Sequence, residues 1–385
     1  MADVTPPTGR VHWVGTGLST GSGLGIVAET ADLTVWGRTR DKARACLDRL
    51  GLAGRAGTAA YTPEDLAAGV RPGDVVVSML PVVEHPAVVR VCLDRSAHFA
   101  CSSYVSPDLA GAASTAQRAG LVVLTEAGLD PGIDHLLAHQ LVAEAKRATA
   151  GAGTGTVRFT SYCGSFPAVP NEFRYRFSWA PRGVLTALLS PARYIDEGHE
   201  LTTGRPYRSV RPVTLRGEQF EVYPNRDSVP FVDVYGFPPA WQVETFVRGT
   251  VRLDGWARAW QPVFAELENG SDDGITRLAG ELAQRYPTTR DDHDRVVMFV
   301  ALDITGDDGS HWSGEYSLDI CGDESEGATP RLVSVPLAGG ILDIVAGRTA
   351  PGLHRAASDA GTVKRWLDFL AGRGIAVRFQ SPVGR

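Results

Sequence analysis

The sequence predicts an α/β protein in two parts: an N-terminal doubly wound parallel sheet, and an α+β domain with a mostly antiparallel sheet. Three observations predict this division. Apolar runs alternate with helical patterns up to residue 146, small residues fill 147–156, and strict alternation of apolar and polar residues begins at Val157. Continuous apolar strands between helices are typical of parallel sheets, whereas alternation is typical of antiparallel sheets.

The composition is that of an ordinary globular protein and excludes several classes of function. The 385 residues include 38 basic and 44 acidic side chains, a net charge of −6, which indicates no nucleic-acid partner. No apolar run reaches the ~20 residues that span a membrane, and the start, MADVTPPTGR, lacks a signal pattern. Five cysteines without a CxxC pair indicate reduced thiols, so we expect a cytoplasmic protein.

The first predicted domain covers residues 1–146 and alternates strands with helices. Its strands are predicted at Arg10–Val14, Leu33–Trp36, Asp74–Leu80, Ala97–Cys101 and Leu121–Leu124. Its helices are predicted at Lys42–Leu50, around Val88–Leu93, at Leu109–Ala119 and from Ile133 onward. Because crossovers between parallel strands are right-handed, the loops after these strands gather at one edge, where ligands are expected to bind.

The second predicted domain covers residues 157–350, with a helical segment at about 254–290. Its alternating strands are predicted at Val157–Cys163, Val213–Leu215, Phe220–Val222, Val243–Leu253, Val296–Ile304 and Trp312–Ile320, and its helices at Arg182–Leu189 and Trp256–Leu267. Residues 351–385 form a C-terminal segment that we expect to pack back on the first domain, with one amphipathic helix ended by Gly372 and Gly374.

A glycine-rich turn, GTGLSTGSGLG, directly follows the first predicted strand. Glycines there let backbone amides approach a pyrophosphate at the start of the next helix, so the turn predicts a dinucleotide site of the Rossmann type. The expected contacts are Gly15, Gly17, Leu18, Ser19 and Thr20. Thr20 stands where the common fingerprint has its third glycine, and the alternative is an ordinary structural loop.

The end of the second strand predicts which nucleotide binds. An NAD site usually has an Asp or Glu there to bind the ribose hydroxyls, whereas this chain has Gly37-Arg38-Thr39-Arg40. Two guanidinium groups and a hydroxyl suit a 2′-phosphate, so we predict NADP (NADPH) and disfavour NAD. The alternative is that both arginines are solvated residues at the start of a helix.

Two further loops at the same predicted edge carry polar side chains. The stretch LVVLTEAGLDPGIDH, at Leu121–His135, reads as a strand, a sharp turn and a helix start; Pro131 suits the first helical position, which makes Asp130 the N-cap. The preceding strand ends in Ser102-Ser103-Tyr104, whose hydroxyls suit carboxylates or an imine nitrogen. The alternative for each loop is a plain helix cap.

Several strings in the chain resemble the saccharopine dehydrogenase family, specifically its glutamate-forming branch. They are EAGLDPGIDHLLA and SYVSP in the first domain, and FSWAPRG, PNRDS and RGT in the second. The resemblance implies a homodimer that binds NADP and acts on a small amino-acid-derived substrate. In the family reaction, the imine of glutamate and aminoadipate semialdehyde is reduced to saccharopine. The resemblance also favours Arg38 and Thr39 over Arg40 as phosphate ligands.

The resemblance implies roles for individual residues. Asp130 would hold a substrate ammonium or relay the imine proton, with Tyr104 as the competing candidate. Arg226 would clamp a carboxylate, or alternatively pair with Asp227 for structure. The other expected substrate contacts are Ser102, Ser103, Cys163, Gly164, Phe177, Trp179, Asn225, Ser228 and Arg248. The other expected cofactor contacts are Ser78, Leu80, Pro81, His85, Ser103, Leu129 and Asp130. The alternative for the stretch from Ser78 to His85 is a strand ended by proline and a capped helix.

One departure from the family leaves the substrate open. The family usually has an insertion before its Phe-Ser-Trp string, whereas this chain reads VPNEFRYRFSW, with Glu172, Arg174 and Arg176. The alternatives are a relative acting on a different N6-substituted lysine, a hydrazine or a carboxy-polyamine, and an NADP-binding regulatory protein without turnover. A 2-hydroxy acid dehydrogenase is disfavoured because spacing indicates no histidine–carboxylate relay. His135 and His139 have helical spacing but no third ligand, so we predict no metal.

Overall fold

The computed structural model of the chain describes residues 4–149, 155–287, 289 and 292–381, apart from the side chain of Asn269. Its contacts divide the chain into two compact units. Unit 1 comprises Met1–Leu136 and Pro330–Arg373, and unit 2 comprises Leu137–Thr329 and Gly374–Arg385. Residues 150–154 of the predicted linker lie outside the described residues.

The secondary structure alternates strands and helices through most of the chain. The strands are β1 (Arg10–Val14), β2 (Asp32–Gly37), β3 (Gly57–Ala60), β4 (Val75–Ser78), β5 (His98–Cys101), β6 (Val122–Thr125), β7 (Gly155–Pro167), β8 (Ala192–Asp196), β9 (His199–Thr203), β10 (Arg211–Leu215), β11 (Glu218–Pro224), β12 (Trp241–Leu253), β13 (Asp294–Gly306), β14 (His311–Cys321), β15 (Gly352–Arg355) and β16 (Arg378–Gln380). The α-helices are α1 (Gly23–Ala28), α2 (Arg40–Arg49), α3 (Pro63–Gly69), α4 (His85–Asp94), α5 (Pro107–Arg118), α6 (Ile133–Ala148), α7 (Pro181–Leu189), α8 (Phe231–Val234), α9 (Trp256–Ala259), α10 (Gln261–Asn269), α11 (Asp272–Arg285), α12 (Ala328–Val345) and α13 (Ala360–Ala371).

The sheet of unit 1 is parallel and doubly wound, as the sequence predicts. Within the described residues its strand order is β15-β6-β5-β4-β1-β2-β3. The order reverses between β1 and β4, which is the switch point where such sheets bind ligands. Every residue of β4, β5 and β6 is buried, which explains their continuous apolar sequences.

The sheet of unit 2 is mostly antiparallel, which confirms the second part of the predicted fold class. Its main strand order is β10-β11-β12-β7-β13-β14-β16, and β12 and β7 pair in parallel. Alternation puts Val247 and Arg248 on opposite faces of β12, yet both are buried. Val247 packs with Phe220 and Val297, while the Arg248 guanidinium lies over the Phe231 ring, so both faces of this strand are covered.

Aromatic residues hold the helices of unit 2 together. Trp256, Trp260 and Phe264 are buried in one cluster, and Phe173 stacks on Trp260 with ring centroids 4.7 Å apart. The predicted helix Trp256–Leu267 is two helices, α9 and α10, which meet at Trp260. Pro262 accounts for the break, because proline has no N–H to continue the first helix but is tolerated in the first turn of the second.

The C-terminal region divides between the units differently from the predicted boundary at 350. Most of α12 belongs to unit 1, where a β-carbon on Gly23 would lie 2.0 Å from the Ser334 carbonyl oxygen. The segment predicted to pack on the first domain lies in unit 1 as far as Arg373, and β15 pairs with β6. The residues after Arg373 belong to unit 2, because β16 pairs with β14.

One helix of the described residues, α12, is long and apolar enough to cross a membrane by length and composition. Most of it, 72%, is buried inside the protein. A helix that is apolar on all sides is also what a buried core position requires, and the burial of α12 fits that explanation.

Candidate active-site residues

The glycine turn after β1 has one glycine that the backbone requires and one that faces open space. Gly15 has φ +117°, and a β-carbon there would lie 2.9 Å from the carbonyl group of Met79. The Gly15 N–H donates to the Trp36 carbonyl at 2.9 Å, which fixes the turn beside β2. A β-carbon on Gly17 would meet nothing within 4 Å, and the neighbouring Leu18 is 48% exposed. The side of the turn at Gly17 is therefore accessible to a phosphate.

The Thr20 side chain is buried inside this turn and forms a hydrogen bond across it. Its buried hydroxyl donates to the Gly15 carbonyl at 3.1 Å and accepts from Trp13 Nε1 at 3.4 Å. The close helix packing that the third glycine of the fingerprint provides falls instead to Gly23, the first residue of α1, which lies against Ser334. The packing glycine thus comes three residues later than the sequence pattern predicts.

The residues after β2 fit a phosphate group. Arg38, Thr39 and Arg40 are all exposed at the start of α2. The Thr39 hydroxyl accepts from Lys42 N at 3.2 Å as the N-cap, which leaves its O–H as a donor. Two guanidinium groups at the positive end of a helix dipole favour an anion, and no carboxylate stands where an NAD site would have one.

His85 bridges the ends of β4 and β5. Its Nδ1 lies 2.9 Å from Ser78 Oγ, and its Nε2 lies 2.9 Å from Ser103 Oγ. Burial lowers the pKa of His85 to about 4, so the ring is neutral and donates from one nitrogen while accepting at the other. Both nitrogens are therefore committed to the protein. Of the other residues expected to contact the cofactor in this loop, Leu80 is half-buried and Pro81 is exposed.

The turn between β6 and α6 is folded tightly on itself, and it corrects one prediction. Helix α6 begins at Ile133, so Asp130 is not its N-cap. The Ile133 N–H donates to the Gly128 carbonyl at 2.9 Å, and a β-carbon on Gly132 would lie 1.9 Å from that oxygen. Because this glycine pair closes the turn, Asp130 is left partly exposed, while Leu129 beside it is buried.

Tyr104 and Asp130, the two predicted catalytic residues, come together in unit 1. Tyr104 Oη donates to Asp130 Oδ1 at 2.8 Å. Tyr104 follows β5 and Asp130 follows β6, and these strands are neighbours in the sheet. Both side chains are partly exposed. A phenol held against a carboxylate in this way can pass a proton to a ligand.

In unit 2, the turn after β11 presents Arg226 to solvent. Its φ of +56° is unusual for a residue with a side chain, and the Arg193 N–H donating to the Arg226 carbonyl at 2.8 Å helps to hold it. Asp227 accepts two hydrogen bonds from the Arg193 guanidinium, at 3.0 and 3.1 Å. Asp227 is thus paired with Arg193. Asn225, before the turn, donates its N–H to the Arg248 carbonyl at 2.8 Å.

Ser228 and Arg248 are buried beneath this turn. Ser228 Oγ accepts from the Arg248 N–H at 3.0 Å, so the hydroxyl holds the turn against β12. The Arg248 guanidinium carbon lies 4.4 Å from the centre of the Phe231 ring. Both side chains are therefore less accessible to a carboxylate ligand than the exposed Arg226.

The other predicted substrate contacts of unit 2 combine packing with partial access. A β-carbon on Gly164 would lie 2.2 Å from the Val251 carbonyl oxygen, so glycine is required where β7 approaches β12. Cys163 before it is buried. Phe177 is buried beside Tyr175, with ring centroids 5.3 Å apart, whereas Trp179 is partly exposed. Trp179 is therefore the more accessible of the two predicted pocket walls.

Arg252 is a buried cation that the sequence did not single out. Its guanidinium carbon lies 4.9 to 5.5 Å from the ring centres of Tyr175, Tyr223 and Trp256, and Nη2 donates to Tyr223 Oη at 2.8 Å. Among the residues that the structure describes, no carboxylate lies within ion-pair distance of it. The three rings come from distant parts of the chain, so no local signal could have indicated this cage.

The arginines of the shortened segment differ in placement. Arg176 is mostly buried and lies 3.1 Å from an Asp292 oxygen and 3.5 Å from an Asp294 oxygen. Asp294 in turn accepts from the Ala328 N–H at 2.7 Å. Arg176 therefore supports the fold, whereas Glu172 is exposed and Arg174 is partly exposed.

The two histidines with helical spacing have protein partners. His135 Nε2 lies 3.0 Å from Glu126 Oε2, and the His139 ring packs edge-on against Tyr235, with centroids 5.4 Å apart. Within the described part of the chain, no group of three or more His, Cys, Asp or Glu side chains could hold a metal ion.

The switch-point glycine turn and the exposed arginines after β2 define unit 1 as a dinucleotide-binding domain of the Rossmann class. A family model described as the saccharopine dehydrogenase NADP binding domain matches residues 11–124, and one described as the saccharopine dehydrogenase C-terminal domain matches residues 128–375. The chain belongs to the saccharopine dehydrogenase family, as its motifs predict. The predicted cofactor, NADP, is confirmed with it.

Known relatives agree with this assignment. The L-glutamate-forming saccharopine dehydrogenase of Saccharomyces cerevisiae is 41% identical over 194 residues, which are 48% of this chain and 41% of that protein. The mitochondrial alpha-aminoadipic semialdehyde synthase of Bos taurus is 37% identical over 203 residues, which are 51% of this chain and 21% of that protein. The chain thus spans less than half the length of these curated relatives.

Solved structures resemble the fold as a whole. The apo L-Glu-forming saccharopine dehydrogenase from Saccharomyces cerevisiae superposes with a TM-score of 0.80 and 25% identity, over 97% of this chain and 99% of that one. A homospermidine synthase from Legionella pneumophila superposes with a TM-score of 0.62 at 9% identity, over 98% of this chain and 92% of that one. The second likeness concerns the fold alone.

Proposed function

We propose that the protein is an NADP-dependent oxidoreductase that forms or oxidises the CH–NH bond of a lysine-derived secondary amine, in the manner of a saccharopine reductase. The observation that carries the proposal is the 2.8 Å hydrogen bond between Tyr104 and Asp130 at the ligand-binding edge of an NADP-binding sheet. Reduction of an imine needs a hydride at carbon and a proton at nitrogen, and this pair is suited to supply the proton.

The chemistry balances with the groups at hand. The amine of glutamate adds to the aldehyde of aminoadipate semialdehyde and water leaves, which gives a C=N bond. When bound, NADPH supplies the hydride that this carbon accepts. Tyr104 and Asp130 deliver one proton to the nitrogen, and the product is a secondary amine. In the opposite direction the same pair accepts the proton as the amine is oxidised.

Arg226 is the proposed carboxylate ligand of unit 2. Glutamate brings two carboxylates and aminoadipate semialdehyde brings one, and an exposed guanidinium on a rigid turn suits bidentate binding. Arg226→Ala should raise KM for the acidic substrates and leave NADPH binding unchanged. Arg277→Ala is the matched control, because Arg277 is an exposed arginine of α11 that pairs with Glu281. An unchanged KM in Arg226→Ala would remove Arg226 from the site.

The test of the function is a coupled pair of assays on purified protein. In one direction, the loss of NADPH absorbance is followed with aminoadipate semialdehyde and glutamate. In the other direction, the appearance of NADPH absorbance is followed with saccharopine and NADP. Turnover in both directions is the expected result. Tight NADPH binding with no turnover on any secondary amine would contradict the proposal and favour a regulatory protein.

The amine partner is the part of the proposal that the shortened segment affects. With Arg176 committed to Asp292 and Asp294, Glu172 and Arg174 are the charged side chains of that segment accessible to solvent. An exposed carboxylate favours a substrate with an additional amine. The same assay should therefore include other N6-substituted lysines, hydrazines and carboxy-polyamines, and the highest kcat/KM identifies the partner.

We further infer a homodimer in the cytoplasm. The resemblance to the family supports the dimer, and five reduced cysteines support a reducing compartment. Light scattering should give twice the mass of the chain, and cell fractionation should recover the protein with cytosolic markers. A monomer, or recovery in another compartment, would contradict the respective inference.

A further inference from the structure

A buried network lies behind the Tyr104–Asp130 pair in unit 1. Its centre is Glu126, the first residue after β6, which is 2% exposed. Glu126 Oε1 accepts from the Val105 N–H at 3.0 Å and lies 3.4 Å from Arg355 Nε at the end of β15. Val105 directly follows Tyr104, so this carboxylate holds the backbone of the loop that carries the phenol.

A second arm of the network reaches the loop that carries Asp130. Glu126 Oε2 lies 3.0 Å from His135 Nε2, and His135 Nδ1 lies 3.5 Å from Asp134 Oδ2. Asp134 Oδ1 accepts from the Gly132 N–H at 2.6 Å, two residues beyond Asp130. His135 therefore lies between two carboxylates. Glu126 binds the backbone of the Tyr104 loop, and Asp134 binds the backbone of the Asp130 loop.

The network is charged and its backbone is constrained. Burial acts to raise the pKa of Glu126, but the contact with His135, the Val105 amide and Arg355 outweigh burial and hold that pKa below its usual range. Glu126 is therefore a carboxylate at neutral pH. Its φ of +55° is unfavourable for a residue with a side chain, and such conformations persist where the surrounding structure holds them.

We propose that Glu126, His135 and Asp134 are positioning residues that hold the Tyr104 phenol against the Asp130 carboxylate. The inference rests on the proposed function, in which this pair moves the proton. Without the Glu126 arm, the Tyr104 loop loses its attachment to His135 and to β15. A displacement of about 1 Å at a reacting group can cost roughly 100-fold in rate, so the network should matter for turnover although it touches no substrate.

Two variants of Glu126 separate positioning from simple stability. Glu126→Ala removes both arms, whereas Glu126→Gln keeps an oxygen for the Val105 amide and loses only the charge. We expect kcat to fall about 100-fold in Glu126→Ala and by a smaller factor in Glu126→Gln, with KM for NADPH unchanged. The solvent deuterium isotope effect on kcat should rise in both, because proton transfer becomes slower.

Asp74→Asn is the matched control. Asp74 is also a buried carboxylate 3.0 Å from a buried histidine, His12, towards the opposite end of the same sheet. Asp74→Asn should lower the melting temperature and leave kcat per folded enzyme at the wild-type value. A fall in melting temperature without a change in kcat or isotope effect in the Glu126 variants would overturn the proposal.

A spectroscopic readout keeps the test independent of turnover. With 3-fluorotyrosine in place of Tyr104, the ¹⁹F resonance reports the hydrogen bond to Asp130. Glu126→Ala should move this resonance towards its position in Asp130→Asn, whereas Asp74→Asn should leave it in place. If the wild type turned over no amine, the proposed function would fail, while a shift or its absence would still decide the positioning role.

Discussion

The two ends of the parallel sheet in unit 1 carry similar side chains. Towards the end where the strands begin, His12 Nε2 lies 3.0 Å from Asp74 Oδ2, and its Nδ1 accepts from Trp36 Nε1 at 3.2 Å. At the edge where the strands end, His135 lies 3.0 Å from Glu126. Both ends therefore bury a histidine beside a carboxylate, and the second pair lies behind the partly exposed Tyr104 and Asp130.

The difference lies in what each carboxylate holds. Asp74 accepts from Thr8 Oγ1 at 2.6 Å and from the Arg71 N–H at 2.8 Å. These partners lie in the segments that precede β1 and β4. Glu126 holds the loop that presents Tyr104. A buried histidine–carboxylate pair thus stabilises the fold at one end of the sheet and orients reactive groups at the other. Function thus depends on which loop a buried network supports rather than on the residue types in it.

The largest expected effect separates the two ends by activity. Asp130→Asn should lower kcat about 1000-fold, because the amide cannot accept the proton that general acid–base catalysis requires at this position. Asp74→Asn should leave kcat unchanged. Steady-state rates from NADPH absorbance measure both, and wild-type kcat in Asp130→Asn would remove it from the mechanism.

Another expected effect concerns pH and stability at the edge where the strands end. Burial lowers the pKa of His85 to about 4 from its ordinary 6.5, so the unfolded chain takes up this proton first as pH falls. The contribution of His85 to the free energy of unfolding is therefore fully present above about pH 6.5. It decreases as the pH falls towards 4, by about 2.5 kcal/mol at pH 4.5. His85→Asn should lack this component in denaturant unfolding at pH 7.5 and 4.5. Equal pH dependence in both proteins would show that His85 charges normally.

Packing and ligand access at the glycine turn can also be separated. Gly23→Ala should lower the free energy of unfolding by about 3 kcal/mol, because its β-carbon would meet the Ser334 backbone at 2.0 Å. Gly17→Ala should leave stability nearly unchanged and weaken NADPH binding, since that side of the turn is open. Urea unfolding and NADPH fluorescence titration check the pair; equal stability of the two variants would contradict this division.

The smallest expected effect concerns the nucleotide. Arg38→Ala should raise Kd for NADPH about 30-fold, which corresponds to about 2 kcal/mol for a charge-assisted contact with the 2′-phosphate. Kd for NADH should not change. Arg55→Ala is the control, because Arg55 is an exposed arginine of the same unit. A parallel loss of NADH affinity would mean that Arg38 does not recognise the 2′-phosphate.

Sequence periodicity was sufficient to predict most of the parallel sheet. The buried strand β4 lies inside the predicted run Asp74–Leu80 because a strand covered on both faces is apolar throughout. The same rule explains why α12 was not predicted: a helix buried on all sides shows no helical period, and it also contains Pro336. The close contact of Gly23 with Ser334 is invisible in sequence, since the two residues are far apart in the chain.

The candidate site was predictable in part for the same physical reasons. Tyr104 and Asp130 follow neighbouring strands, so the fold class alone brings them to one edge. The sequence did not reveal the backbone conformation of the turn. Gly128 and Gly132 close the turn, α6 begins at Ile133, and Asp130 is therefore not the N-cap. The network around Glu126 depends on β15, whose pairing with β6 joins residues more than 200 positions apart.

The proposed imine reduction can be tested by following the transferred hydride. The protein is supplied with glutamate, aminoadipate semialdehyde and NADPH deuterated at the nicotinamide C4, using each stereoisomer in turn, and the products are analysed by mass spectrometry. The expected product is a secondary amine that joins both substrates and carries one deuterium on the former aldehyde carbon, and Asp130→Asn should form far less of it. NADPH that binds without any deuterated secondary amine being formed, from these substrates or from other amines, would contradict the proposed reduction.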